Sequence, residues 1–448
     1  YVGNCYWIYQ TMYLYGGLSK PVSLGILFLF SLYLGLYLGL FGWLIGWLNR
    51  LLGKVAALVL VPFVWVAVEL ARARITGFPW DLLGYTQVDN SVLTRIAPLT
   101  GVMGLSLLIA AVNSLWLLRT QKRYAGPVVA FLLTVVFIVT GTFATRAQPA
   151  QEAAVLLQEN LSVGTEGKGR AETKQQMLLS FDALSRNPQQ NATEVAADVV
   201  LWPEAPAPFI DSDPVLRQSM GTLARELHVP IVVDNVTIAS QNASGRYNLY
   251  NSASFYSAQG NYLGHYDKMH LVPFGEYTPY KPLFFFAGSL LDDLPFIPGR
   301  SRTMLDANNK RYGIFICYES IFGDEIRRFV GDGAQVLVNL SDDGWYGDTS
   351  APWEHLDMVR MRAIENDRWV LRATNTGVTA AIDPTGRITA QLPRHIRSSL
   401  KAGFSFEDKL TFYTRFGDWL AWICAAIVAA ALAFGFARAR LAKHTEVH

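Results

Sequence analysis

Arg311-Tyr-Gly-Ile-Phe-Ile-Cys317-Tyr-Glu319-Ser320 is the stretch whose reading decides the fold. Its apolar run, Tyr312 to Ile316, is short and unbroken and reads as a buried strand; it stops on a cysteine where helical spacing begins at Ile321-Phe322, Ile326 and Phe329-Val330. A thiol at such a corner faces the backbone N–H groups of the helix start, which is expected to lower its pKa and make it a nucleophile. The alternative is that Cys317 is a small core residue, as most free cysteines are. Partners elsewhere in the chain have to decide.

The chain around it is apolar. Of 448 residues 51% are hydrophobic and only 17% charged, with a positive mean hydropathy, so membrane spans are expected. A formal net charge of +2 gives no electrostatic case for nucleic acid. Three cysteines, Cys5, Cys317 and Cys424, cannot form a disulfide framework. The opening Tyr1 and the aromatic run around Tyr6-Trp7 and Tyr13 to Tyr15 look like the end of a span, so further sequence is expected upstream.

Apolar runs from Val22 to Leu48, Val55 to Ala71, Leu93 to Leu118, Gly126 to Thr145 and Trp419 to Ala437 are read as five spans. Basic clusters at Arg50/Lys54, Arg119/Lys122/Arg123 and Arg438/Arg440/Lys443 then share one face. The positive-inside bias makes that face cytoplasmic and the large polar segment external, against which Arg72 and Arg74 stand on the outer side. The expected domains are a membrane part over 1–147, a polar catalytic domain over 148–409, and a last span with a basic tail over 410–448.

Within the polar domain, Ala153–Gln158, Val199–Trp202, Pro230–Val236, Ser252–Ser257, Tyr312–Ile316 and Gln335–Leu340 read as strands, and Asp383-Pro-Thr-Gly386 as a turn between two more. Ala351 to Arg372, with Leu356, Val359, Ala363, Ile364 and Val370 at helical spacing, reads as one helix. The class is α/β, with strands largely buried on both faces.

Three words sit at strand ends. Val199-Val-Leu-Trp-Pro-Glu204 places a carboxylate just past a strand; Tyr266-Asp-Lys268-Met-His-Leu-Val-Pro-Phe-Gly-Glu276 follows a hairpin; Cys317 closes its own strand. A carboxylate to move protons, a cation for a tetrahedral oxyanion and a sulfur that attacks and leaves are what acyl transfer through a thiol requires. Each alone is also an ordinary surface or core residue.

This order of Glu, Lys and Cys resembles the nitrilase superfamily, whose triad sits at strand ends of an αββα sandwich. With Trp202-Pro-Glu204, Lys268 to Glu276, Cys317-Tyr-Glu319, Asp343-Gly-Trp-Tyr-Gly347 and the loops Thr76-Gly-Phe-Pro-Trp80 and Gly84-Tyr-Thr-Gln87, nearly the whole chain resembles the apolipoprotein N-acyltransferase family of bacterial inner membranes. The resemblance implies a nitrilase-like domain inserted between transmembrane helices, with Glu204 as general base, Lys268 as oxyanion stabiliser and Cys317 as nucleophile. It implies Glu276 and Glu319 as supporting carboxylates and Asn251 and Tyr318 as pocket residues. That family has a tryptophan in the loop after the first strand, and Asn160 to Arg170 has none.

The implied reaction is acyl transfer from a membrane phospholipid, through a Cys317 thioester, to the α-amine of a diacylglyceryl-modified apolipoprotein, with Lys268 and the Tyr318 N–H holding the oxyanion. It calls for the lipid bilayer as partner and for no cofactor, metal or nucleic acid. His265 and His270 lie outside any ligand spacing. Trp345 and Trp353, in a Gly-bounded aromatic segment, and the apolar Leu283 to Ala287 are candidate gates toward the membrane. Two alternatives remain open at this level: a membrane-tethered amidase or nitrilase in which water replaces the amine, and a non-catalytic receptor or transporter that retains the outer domain.

Overall fold

A computed structural model describes residues 1–119, 149–163, 172–190, 196–204, 209–241, 245–278 and 295–445. Three described helices are long and apolar enough to cross a membrane: Lys20–Leu52, Lys54–Ile75 and the helix from Trp419. Leu48, Ala57, Val64, Val68 and Val428 pack where the three meet, while Phe28, Leu29, Leu32 and Leu36 point outward, the pattern of helices solvated by lipid.

The run Leu93 to Leu118 is not one span. A 3-10 turn over Leu93–Ile96 and a short helix over Ala97–Thr100 stop at Gly101, whose φ is +68°, and Val102–Arg119 starts afresh. Apolarity alone cannot register a left-handed glycine, which breaks the helix here and frees the Val102 N–H to donate to the buried Glu365 at 2.8 Å. The run Gly126 to Thr145, Lys122 and Arg123 lie outside the described residues, as does Leu283 to Ala287.

Among its described residues the polar domain contains two sheets. Its strands are β1 (Glu152–Gln158), β2 (Gln189–Gln190), β3 (Ala197–Leu201), β4 (Ile231–Gln241), β5 (Tyr247–Tyr256), β6 (Tyr262–Asp267), β7 (Leu305–Ala307), β8 (Lys310–Ile316), β9 (Val336–Ser341), β10 (Val370–Thr374), β11 (Ala380–Ile382), β12 (Ile388–Gln391) and β13 (Ser398–Phe404). One sheet runs β2-β13-β1-β3-β4-β5-β6 and the other β12-β11-β10-β9-β8-β7. The period of two sorts their side chains: Ala154 and Leu156 of β1 join a core between the sheets with Ile314, Ile316 and Leu340. Val155 and Leu157 of the same strand face Phe181 and Leu216 of the helices Lys174–Arg186 and Pro214–Leu227. On the other side, Ile326 and Phe329 of Gly323–Gly331 and Leu356 and Val359 of Ala351–Asn366 cover the second sheet. The result is the expected αββα sandwich.

The helix expected over Ala351 to Arg372 ends at Asn366. Asp367 takes φ +51°, and Val370 to Thr374 become β10, parallel to Leu337–Ser341 of β9. A strand buried on both faces is a continuous apolar run, and periodicity cannot tell it from buried helix. The remaining helix is buried on nearly every side because its far face, with Met358, Met361 and Ile364, packs on Trp80, Tyr85 and Val102 of the membrane part. Polar links cross the same seam: Arg74 pairs with Asp324 at 3.0 Å, Arg360 with Asp89 at 2.7 Å, and the Trp80 indole donates to Glu354 at 2.7 Å, while Arg74 also pairs with Asp418 of the membrane part at 2.6 Å.

Candidate active site

Strands β8, β9 and β10 are mutually parallel, as are β1, β3 and β4, so the loops leaving their C-terminal ends gather at one edge of the sandwich. Glu204 follows β3 by a Trp-Pro link, Lys268 follows β6, Cys317 follows β8, and Asp342 and Asp343 follow β9. Ends of parallel strands are where a rigid sheet can present short loops to a ligand.

Lys268, 1% exposed, places Nζ 3.0 Å from Oε1 of both Glu204 and Glu276. The Asn251 amide donates to the same two oxygens at 2.9 and 3.0 Å. The second oxygen of each carboxylate takes a backbone N–H, Asp342 for Glu204 at 2.9 Å and Val272 for Glu276 at 2.7 Å. Burial works against the Lys268 charge, but the two carboxylates more than offset it and hold the ammonium well above its ordinary pKa. One cation therefore stands between two anions, a clamp with its hydrogen-bond partners in place.

Cys317 is buried at the start of a 3-10 turn, Cys317–Ile321, with φ +47°. A non-glycine residue in that region is strained, and such strain persists only where the surroundings fix it. Glu319 does part of this. Its Oε1 accepts from the Tyr266 hydroxyl at 2.7 Å and the N–H groups of Met269 and His270 at 2.7 and 3.1 Å, and its Oε2 from the Ile316 N–H at 2.7 Å. It thus ties the cysteine turn to the segment carrying Lys268, while burial pushes its own pKa up against those bonds.

The expected low thiol pKa is not what the surroundings produce. Burial, then the negative charge of Glu204, push the Cys317 thiol well above its ordinary range, and Lys268 and the Ser341 hydroxyl only oppose them. A one-turn 3-10 helix supplies little dipole. The thiol rests protonated and requires a base in reach, rather than an already ionised sulfur.

The structure brings Glu204, Lys268, Asn251, Glu276 and Glu319 together around Cys317, and it places the aromatics further out. The Tyr318 ring packs edge-on against Phe322, and its hydroxyl donates to the Gly77 carbonyl at 3.4 Å. It is thus a contact with the loop that follows Lys54–Ile75. Trp345 and Trp353 are 44% and 50% exposed; Trp345 packs edge-on to Tyr15, and the Thr11 hydroxyl donates to its carbonyl at 3.0 Å. They line an outer surface instead of the thiol. The loop from Gly164 to Ala171 lies outside the described residues.

Sequence reasoning missed a polar cluster behind the cysteine. His355 of Ala351–Asn366, fully buried, stands 2.8 Å from Asp343 Oδ1 and 3.0 Å from the Cys317 carbonyl, and Arg372 of β10 lies 2.5 Å from Asp343 Oδ2. Burial alone would raise the Asp343 carboxyl, but Arg372 and His355 hold it far below its usual range. Next to it, burial and the charge of Glu204 push Asp342 up to about 7 against the Asn375 hydrogen bond. The available signal was an Asp-Asp pair closing a strand and a charged, His-containing apolar helix, neither of which marks a site by itself.

Both parts of the chain have relatives among known proteins. Residues 153–405 match the carbon-nitrogen hydrolase family and residues 1–115 the apolipoprotein N-acyltransferase N-terminal domain. The chain is 35% identical to an apolipoprotein N-acyltransferase of Geobacter metallireducens, over 97% of this chain and 85% of that one. It is also 35% identical to one of Methylococcus capsulatus, over 94% and 83%. Among solved structures, an amidase from Nesterenkonia sp. aligns over 59% of this chain and 94% of its own at 17% identity and a TM-score of 0.41.

Proposed function

The chain belongs to the apolipoprotein N-acyltransferase family, with a carbon-nitrogen hydrolase catalytic domain, and from that premise we propose how its residues divide the work. It is a membrane protein that transfers an acyl group to apolipoproteins. In our reading the donor is a membrane phospholipid and the acceptor the α-amine of a diacylglyceryl-cysteine at the apolipoprotein N-terminus.

Glu204 takes the Cys317 proton as the sulfur attacks the ester carbonyl. The tetrahedral oxyanion is met by Lys268 and the Tyr318 N–H, and Glu204 returns the proton to the departing glycerol oxygen, which leaves a thioester and a lysophospholipid. The acceptor amine then attacks the thioester, Glu204 accepts its proton, and the sulfur leaves. The observation that carries this reading is the Lys268 bridge: an ammonium held 3.0 Å from Glu204 and from Glu276 at the edge where the strained Cys317 turn emerges. Asn251, Glu276 and Glu319 then act as supports that keep the base and cation in register.

We place the domain 148–409 on the periplasmic side of the bacterial inner membrane, between the membrane parts 1–147 and 410–448. Arg50 and Lys54 lie at one end of the bundle and Arg438 and Arg440 extend past the last apolar stretch, which supports a cytoplasmic face there. Arg74, the residue that counted against this orientation, is paired with Asp324 and Asp418, and Arg72 donates to the Asp81 carbonyl at 3.0 Å. Charges used in a protein seam carry little topological weight.

Glu204→Gln tests the assignment. It blocks thioester formation from phospholipid vesicles, and normal accumulation of acyl-enzyme in that variant contradicts the general-base role.

A further inference from the structure

The backbone of the cysteine turn is held by a second set of side chains besides the Lys268 clamp. His355 Nε2 lies 3.0 Å from the Cys317 carbonyl oxygen and Nδ1 lies 2.8 Å from Asp343 Oδ1. A carbonyl oxygen only accepts, so Nε2 donates to it, while Nδ1 lies between Asp343 Oδ1 and the Arg372 guanidinium, the latter at 3.3 Å. Asp343 is fixed in turn by the Ser341 hydroxyl at 2.9 Å and by Arg372 at 2.5 Å, and Arg372 also donates to the Asn339 side chain. Two neighbouring strands and a helix thus converge on one carbonyl.

That carbonyl matters through the planarity of its peptide. In a trans peptide the C=O of one residue and the N–H of the next point in opposite directions within one plane, and no described peptide is cis. Holding the Cys317 carbonyl toward His355 therefore turns the Tyr318 N–H the other way, away from the helix. The strained φ of Cys317 makes this orientation one the chain does not keep unaided.

The histidine is itself braced from the membrane side. The Trp80 ring, fully buried, stacks on it at 5.9 Å with an interplanar angle of 16°, and Tyr346 meets it edge-on at 6.1 Å. Trp80 comes from the loop after Lys54–Ile75 and is pinned by its bond to Glu354, the residue preceding His355.

We infer that His355 is a positioning residue: through the Cys317 carbonyl it aims the Tyr318 N–H at the developing oxyanion, and Trp80 of the membrane part holds it in that pose. The inference rests on the reading of Cys317 as nucleophile. It makes the membrane part a component of the site's geometry as well as an anchor, since the ring that sets the oxyanion donor is stacked on a membrane-loop side chain.

The test uses the full chain in vesicles of phosphatidylethanolamine with phosphatidylglycerol and a synthetic peptide bearing an S-diacylglyceryl-cysteine. His355→Asn keeps a donor for Asp343 but cannot reach the Cys317 carbonyl; His355→Gln places an amide N–H near the lost Nε2. The Asn variant is expected to lose roughly 10²-fold in kcat with KM changed less than about two-fold, and the Gln variant to recover to within about ten-fold of wild type. Iodoacetamide labelling of Cys317, which needs no oxyanion donor, stays within about three-fold in both. Trp80→Leu lowers kcat as the Asn variant does and adds nothing further in combination with it. Equal losses in the Asn and Gln variants, or an undiminished kcat in the Asn variant, overturn the inference. Should the Asn variant not accumulate, the Gln variant decides: recovery supports the donor role, and a loss as deep as that of Cys317→Ala refutes it. The premise fails separately: a wild-type enzyme that forms no acyl adduct on Cys317 removes the nucleophile, whereas an adduct together with an unimpaired Asn variant removes only the role of His355.

Discussion

Lys268→Met separates the two tasks that Lys268 performs. The ammonium is enclosed, with 1% of the residue exposed, and sits 3.0 Å from one oxygen of each of two carboxylates. At an effective dielectric of about 20, each contact is worth roughly 5–6 kcal/mol before desolvation is subtracted. Breaking a buried pair by removing one partner costs about 3–5 kcal/mol net, because the other charge is left behind. Here two charges are left, facing each other across the Asn251 amide. Methionine nearly fills the volume, so the loss is one of charge. Thermal unfolding in detergent should show that destabilisation, and acyl-enzyme formation from phospholipid vesicles, followed by intact-protein mass spectrometry, should slow by about 10²–10³-fold as an oxyanion partner disappears. The double variant Lys268→Met/Glu276→Gln removes one of the stranded carboxylates and should regain much of the stability with none of the rate. If the double variant acylates at nearly the wild-type rate, Lys268 serves only to neutralise its neighbours and the oxyanion assignment is wrong.

Cys317→Ala should abolish transfer while the protein still inserts and folds, and Cys317→Ser should be nearly inactive because a hydroxyl is a far weaker nucleophile near neutral pH; turnover in the alanine variant would sink the nucleophile assignment. Since burial and Glu204 raise the thiol pKa, the thiolate fraction is small at neutral pH and grows only as pH rises past the ordinary thiol range. Iodoacetamide labelling of Cys317 should therefore keep climbing from about pH 7 to pH 9, and a plateau reached near neutrality would show a preformed thiolate. A cysteine introduced at Ser301 should react with an impermeant maleimide in intact spheroplasts and one at Lys443 should not; the reverse pattern overturns the proposed orientation.

The sheet-bound part of the site was legible because each of its words ends a strand. A β run followed by Glu204, a hairpin followed by Lys268 and a buried strand closed by Cys317 each leave one polar residue where a rigid element stops, and the fold collects those stops at one edge. What was not legible depends on contacts between distant segments. His355 looks like any helical histidine until Asp343, Arg372 and Trp80 surround it. The end of the helix at Asn366 and the break at Gly101 are set by left-handed residues inside apolar runs, where helix, strand and span share one pattern. The low thiol pKa expected at the helix start fails for the same reason, since the helix start is visible in the sequence while the burial and the Glu204 charge are not.

The most direct measurement is the mass of the protein itself. After incubation with phospholipid vesicles, wild-type protein should carry an adduct the mass of one acyl chain, mapped by proteolysis to Cys317, absent from Cys317→Ala and discharged on addition of a diacylglyceryl-cysteine peptide. Transfer of the acyl group to that peptide with Cys317 unmodified throughout would contradict the account.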